Sequence, residues 1–207
     1  MEENKQNMHA LKQFILFLAV ILSSNCLAAN GDWKLEKDES GIKIYTRTID
    51  GEDIREFKAL TTIGASRKTI AQIIANINDY ASWYPDISEA AIIKKIGPGE
   101  YYVYNVLDLP WPATDRDGVS KMTIVKSEGT TIIKMHSVDG VKDENDDYVR
   151  ITKSYGFWKL KTVGAKTSIH FQYFASPGGS LPDWIINMFI VDNPFQTLKL
   201  LKEKATA

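Results

Sequence analysis

Arg116 is the side chain whose neighbours best equip it for recognition chemistry. It stands between Asp115 and Asp117, just after the triplet Pro110-Trp111-Pro112. Proline lacks an N–H and fixes φ, so Leu109 to Asp117 reads as a rigid extended connection between β-runs, not as a central strand. That connection would hold one indole and one guanidinium close together. A guanidinium beside a pocket can grip a phosphate or carboxylate with two parallel N–H bonds. The competing reading is that Arg116 pairs with Asp115, Asp117 or another carboxylate and pins the connection. Trp111, Trp158 and Trp184 offer large apolar faces with a polar tip, suited either to lining a ligand cavity or to packing a core.

Other chemistries find little support. The histidines are His9, His136 and His170, and the one cysteine is Cys26. No Ser or acid near a histidine completes a triad, and no His-x-x-x-His or Glu-x-x-His spacing occurs. The run Asp143-Glu144-Asn145-Asp146-Asp147 begins like a calcium loop, but Tyr148 stands where the sharp-turn glycine belongs and Ser154 where the closing glutamate should be. It reads as a solvated acidic hairpin tip. Ser176-Pro177-Gly178-Gly179-Ser180 lacks the Lys-Ser/Thr of a phosphate loop and reads as a flexible lead into a helix. No catalytic residue, metal or cofactor is expected.

The elements that must position these residues are mostly strands. Trp33–Lys37, Ile42–Arg47 and Ile54–Ile63 alternate, with a turn at Asp38–Gly41. Ser66 is an N-cap, and Ile70, Ile73, Ile74 and Ile77 recur at helical spacing. An aromatic connection follows at Tyr80, Trp83, Tyr84 and Pro85, and Ile87–Lys95 holds a helical turn and a strand. Tyr101–Leu109, Val119–Lys126, Thr130–Val138, Tyr148–Ser154, Phe157–Thr162 and Lys166–Ala175 read as strands of an antiparallel meander. On the 101–109 strand, Tyr102, Tyr104 and Val106 share one face and Tyr101, Val103 and Asn105 the other, and alternation does not say which looks inward. A terminal helix over 181–204 starts with Ser180 as cap and Pro182 in its first turn. Trp184 to Val191 is apolar almost all round, as in a helix buried on more than one side, and Pro194 bends it near Asn193.

Four features together resemble START domains over about residues 31–205. They are Trp83-Tyr84-Pro85 with Ile92-Ile93-Lys94-Lys95-Ile96-Gly97; Pro110-Trp111-Pro112 with Arg116-Asp117 and Val119; Gly156-Phe157-Trp158-Lys159-Leu160; and Gly179 to Pro182 leading into Trp184-Ile185-Ile186-Asn187 and Lys199-Leu200. The resemblance implies an α+β helix-grip fold over 31–207, a curved antiparallel β-sheet wrapped around a long C-terminal α-helix. It also implies an internal apolar tunnel that binds or transfers a lipid or other hydrophobic small molecule. Some sterol and ceramide binders of that family carry an acidic–Arg pair inside the cavity. The matching positions here are near Asn105 and Met122, so a ligand's polar head would meet neutral groups there. Ligand contacts are expected from Trp111, Arg116, Tyr104, Asn105, Met122, Trp184, Met188, Val191 and Phe195, with the 181–204 helix as gate. Burying about 300 Å² of apolar ligand surface would contribute on the order of 7 kcal/mol before ordering costs. An enzyme of the cyclase, aromatase or hydrolase type using the same cavity is the alternative. A third reading is an interaction module whose interior is filled by its own side chains.

The bulk numbers bound the partners. The 207 residues carry a formal charge of -1, which gives nucleic acid no electrostatic foothold. Lys12 precedes the apolar run Phe14–Leu22, followed by small and polar residues to Ala29. That is the order of a secretory signal peptide over 1–29, and its core is shorter than the roughly 20 residues of a membrane span. Met8 is an alternative start. Cleavage after Ala28 or Ala29 would remove Cys26 and deliver a secreted or periplasmic monomer without thiols, touching membranes transiently.

Overall fold

A computed structural model describes residues 30–207. The expected export segment, with Cys26 and the cleavage positions, lies outside the described residues. Ten strands form one sheet: β1 (Lys34–Glu39), β2 (Ile42–Arg47), β3 (Glu56–Ile63), β4 (Ile87–Gly97), β5 (Glu100–Leu107), β6 (Arg116–Ser127), β7 (Thr130–Ser137), β8 (Val149–Ile151), β9 (Lys153–Val163) and β10 (Lys166–Ser176). Their order is β1-β2-β3-β10-β9-β7-β6-β5-β4, antiparallel throughout, with the short β8 alone pairing in parallel, on β6. Helix α1 (Arg67–Ala75) follows β3, capped by the Ser66 hydroxyl, which accepts the Thr69 N–H at 3.1 Å. A 3₁₀ turn at Ile77–Ser82 carries the aromatic connection into β4.

Cross-strand partners share a face, and one file of partners shows which face is inside. Ile44, Ala59, Phe171, Trp158 and Ile133 are opposite one another across β2, β3, β10, β9 and β7, and all are buried. Trp158 stacks on Phe171 with ring centroids 3.7 Å apart, and Phe57 meets Phe171 edge-on at 5.0 Å. Helix α1 presses Ile70 and Ile74 onto this face, and the terminal helix adds Phe195, Leu198 and Leu201.

Two sequence expectations move at the strand ends. β6 begins at Arg116, not Val119, so Arg116 and Asp117 belong to the ladder, paired with Leu107 and Val106. The parity of β6 then fixes their directions: Arg116, Gly118, Ser120 and Met122 point inward, Asp117 and Val119 outward. β9 begins at Lys153, and only Val149–Ile151 of the preceding run is a strand.

The terminal helix is also not continuous. It comprises α2 (Asp183–Asn187), a π-helical turn at Met188–Asp192 and α3 (Asn193–Thr206). Pro194 sits in the first turn of α3 and cannot donate a backbone bond, so the widened turn forms directly before it. Pro182, not Ser180, occupies the N-cap of α2, and no side chain caps that end.

Gly156 faces Tyr173 across β9 and β10. A Cβ there would lie 2.9 Å from the Tyr173 Cα and closer still to the Tyr173 ring and the Gln172 carbonyl. Backbone cannot yield as a side chain does, so Gly156→Ala is expected to cost about 3 kcal/mol, measured by urea denaturation.

Candidate functional site

Sheet and terminal helix leave a hollow of about 170 Å³ between them. The deep wall is aromatic: Phe57, Tyr80, Tyr84, Trp158, Phe171 and Tyr173. Tyr80 stacks on Tyr84 at 5.0 Å and donates its hydroxyl proton to the Ile74 carbonyl at 2.6 Å. Burial pushes the hydroxyls of Tyr80, Tyr84 and Tyr173 above the ordinary phenol range. For Tyr173 the hydroxyls of Ser154 and Ser120 partly oppose that shift. These phenols therefore stand in the apolar wall as neutral hydrogen-bonding groups. The helix side is Ile186, Phe189, Ile190, Asn193, Pro194 and Thr197. Ile54, Arg55, Leu107, Leu109, Arg116 and Pro177 line the hollow at the ends of β3, β5, β6 and β10.

Of the nine residues expected to contact ligand, Arg116 and Asn105 line this hollow. Asn105 is on the inward face of β5, opposite Gly118. Tyr104 therefore faces outward, where it packs with Val106 and Val119 beneath Val138, Val141 and Tyr148. Its hydroxyl is pushed up to about 12, chiefly by burial and then by the neighbouring Asp117 carboxylate. Met122 shares the inward face but is sealed in the core.

Trp111 is 90 % exposed and Trp184 is 54 % exposed, so neither lines the wall. The prolines hold the Trp111 indole out into solvent. On the terminal helix the expected stripe of Trp184, Met188, Val191 and Phe195 is displaced by Ile186, Ile190, Asn193 and Thr197. The shift is two positions, about 200° around a helix, and so reaches the opposite side. Val191 and Phe195 are buried in the core instead, with the Lys37 ammonium 4.0 Å from the Phe195 ring centroid. Met188 is half-buried away from the hollow. An all-round apolar segment carries no hydropathy signal to select a face.

Arg116 departs from the reading in which a carboxylate pairs with it, and it lines the hollow. It is 4 % exposed. Its Nε donates to the Pro177 carbonyl at 3.1 Å, Nη2 to the Gly178 carbonyl at 3.0 Å, and Nη1 to the Thr114 carbonyl. Gly178 and Gly179 both adopt positive φ, at 68° and 62°, which non-glycine residues rarely take and which folds this turn back onto β6. Neither neighbouring acid pairs with Arg116. Asp115 Oδ1 accepts the Leu109 N–H at 2.7 Å, and Asp117 takes Arg150 bidentately at 2.7 and 2.8 Å.

Sequence reasoning also missed Tyr80, Tyr84, Tyr173, Ser120 and Ser154. Period-two alternation could have grouped Ser120 with Arg116 and Met122. It could not have shown that β9, β7 and β6 bring Ser154 and Ser120 to the same tyrosine.

A curved antiparallel sheet closed over an apolar hollow by its terminal helix defines a helix-grip protein with an internal binding cavity. The START domain model matches residues 18–199, and the chain belongs to that family. It is 34% identical over 198 residues to an uncharacterized protein of Pseudomonas aeruginosa, covering 94% of this chain and 96% of that one. It is 25% identical over 173 residues to human phosphatidylcholine transfer protein, covering 77% of each. The crystal structure of a STAR-related lipid transfer protein fragment from Xanthomonas axonopodis superposes with a TM-score of 0.78 at 31% identity, covering 84% of this chain and 99% of that one.

Proposed function

We propose that this protein is a lipid carrier, which solvates one hydrophobic ligand in the hollow under α2 and α3 and moves it between membranes. The observation that carries this reading is the hollow itself, apolar along its depth, with its few polar groups placed to orient a head. Family membership and the lipid-transfer relatives point the same way. A carrier fits the wall better than an enzyme does. Its phenols are held neutral, and His170 is on the outer face, bonded to Gln172 at 3.2 Å. Burial lowers the proton affinity of that imidazole, away from any ligand. The segment 14–29 supports export before folding, and a hollow enclosed within one chain suits a monomer.

Loading requires the mouth to open. The π-helical turn and the Gly178-Gly179 turn flank it and are the places where the backbone can give. Trp111 and Trp184 flank it too: Leu109 and Arg116 of the wall bracket the first, Pro177 and Ile186 the second. Solvent-exposed indoles beside an apolar opening suit the headgroup region of a bilayer, where an apolar body and a polar N–H are both satisfied.

Native mass spectrometry with lipid extraction, on protein purified from its own host, tests the carrier. One lipid per chain is the expected result, and protein that stays empty and turns over a soluble ester defeats the proposal. Trp111→Ala and Trp184→Ala are each expected to slow transfer between vesicles about tenfold, by losing on the order of 1.5 kcal/mol of membrane contact. Loading from detergent micelles should stay unchanged, because neither indole lines the hollow.

A further inference from the structure

We infer that the carried molecule presents an anionic oxygen group, a phosphate or a carboxylate, to Arg116 at the mouth of the cavity. This rests on the carrier reading and specifies the class of lipid. The wall carries two charged side chains among the described residues, Arg55 and Arg116, and no Asp or Glu. Arg55 has its counter-charge: Nη1 lies 2.6 Å from Glu36 Oε1 and also donates to Thr46 at 2.7 Å. Arg116 has none. A guanidinium carries five N–H donors, and the three main-chain carbonyls of Thr114, Pro177 and Gly178 take one each. Carbonyl dipoles solvate the cation without neutralising it. A buried charge lacking a counter-ion is costly, and an anion placed against it recovers that cost with charge-assisted bonds.

The two acids best placed in sequence to neutralise Arg116 are committed elsewhere. Asp115 holds the Leu109 N–H, and strand parity turns Asp117 to the outer face, where Arg150 binds it. The cavity thus offers a net positive mouth above an aromatic floor. That polarity matches an amphiphile whose head is an anion and whose tail is apolar. An uncharged sterol, alcohol or acylglycerol would leave the guanidinium without an ion-pair partner.

Two ligand pairs, each identical except for the charged group, test the class on the full protein. Palmitate is compared with hexadecanol, and 1-palmitoyl-glycerol 3-phosphate with 1-palmitoyl-glycerol, by displacement of a fluorescent fatty alcohol. At least one charged member is expected to bind about tenfold or more tighter than its neutral partner, and which pair does so separates carboxylate from phosphate. Arg116→Gln should bring that ratio close to one, chiefly by weakening the charged member of each pair. Arg116 also pins the 177–178 turn, so Arg116→Lys is measured beside it. It keeps the charge without the fork and should retain part of the preference. Equal affinities within both pairs in the unaltered protein overturn the inference and leave the carrier intact. A preference that survives in both variants overturns the assignment to Arg116. Failure of all four ligands to displace the probe overturns the carrier reading and this inference together. Sodium phosphate binding as tightly as the lysophospholipid overturns the lipid-head assignment in favour of a free anion.

Discussion

Gly118→Phe is expected to empty the protein of lipid while leaving it at least as stable. Gly118 is the third residue of β6, with its partner Asn105 across on β5, and both line the cavity. A Cβ there would meet only the Asn105 Oδ1, at 3.8 Å, which is ordinary contact. The backbone does not need glycine's freedom at this position, since its φ is not positive. Glycine inside a strand costs roughly 0.5–1 kcal/mol relative to a residue with a side chain, and phenylalanine suits a pleated, half-buried surface. The ring would project into a hollow of about 170 Å³ and occupy much of it. Lipid retained after purification should fall more than tenfold, while the urea midpoint holds or rises. Full occupancy in a folded Gly118→Phe protein would place the ligand somewhere other than this cavity.

The largest loss of stability is expected from Asp117→Ala. Asp117 is 1 % exposed and Arg150 side chain 10 % exposed, and the guanidinium meets the carboxylate through two bonds of 2.7 and 2.8 Å. The same guanidinium donates to the carbonyls of Lys142 and Asp143. The pair therefore ties the 138–148 loop down over Tyr104, Val106 and Val119 on the outer face of β5 and β6. Removing the carboxylate strands a largely buried cation, which costs about 3–5 kcal/mol. Urea denaturation should show that loss, and hydrogen exchange should quicken first along 138–149. The double variant Asp117→Leu with Arg150→Met should lose less than Asp117→Ala, because replacing both charges removes the stranded cation. If the single and double variants lose equally, the loop is held by its apolar contacts and not by the pair.

These two neighbours, Gly118 and Asp117, show how far the sequence could be read. The strand itself was legible from its alternation, and so was its place in an antiparallel meander. Its first residue was not, because the prolines before it argued for an extended connection and nothing local marked the point where the ladder resumed. Three residues of that error decided whether Arg116 was a loop residue beside a pocket or a strand residue inside one. The terminal helix repeats the lesson. Its existence, its buried character and the break at Pro194 were all legible. The face it turns to the cavity was not, since Trp184 to Val191 is apolar on every side and the π-helical turn at Met188–Asp192 rotates the faces within it.

The sequence by itself determined what repeats along the chain: strand and helix periods, the capping serine at Ser66, the prolines, and the motifs that resemble the START family. Those features act between residues close in sequence, so they are written where they operate. Tertiary structure decided which face is inside, which acid neutralises which arginine, and where the hollow lies. Each of these depends on strands far apart in the chain meeting in one register, and a shift of one residue would exchange Asp117 for Arg116 at the cavity wall.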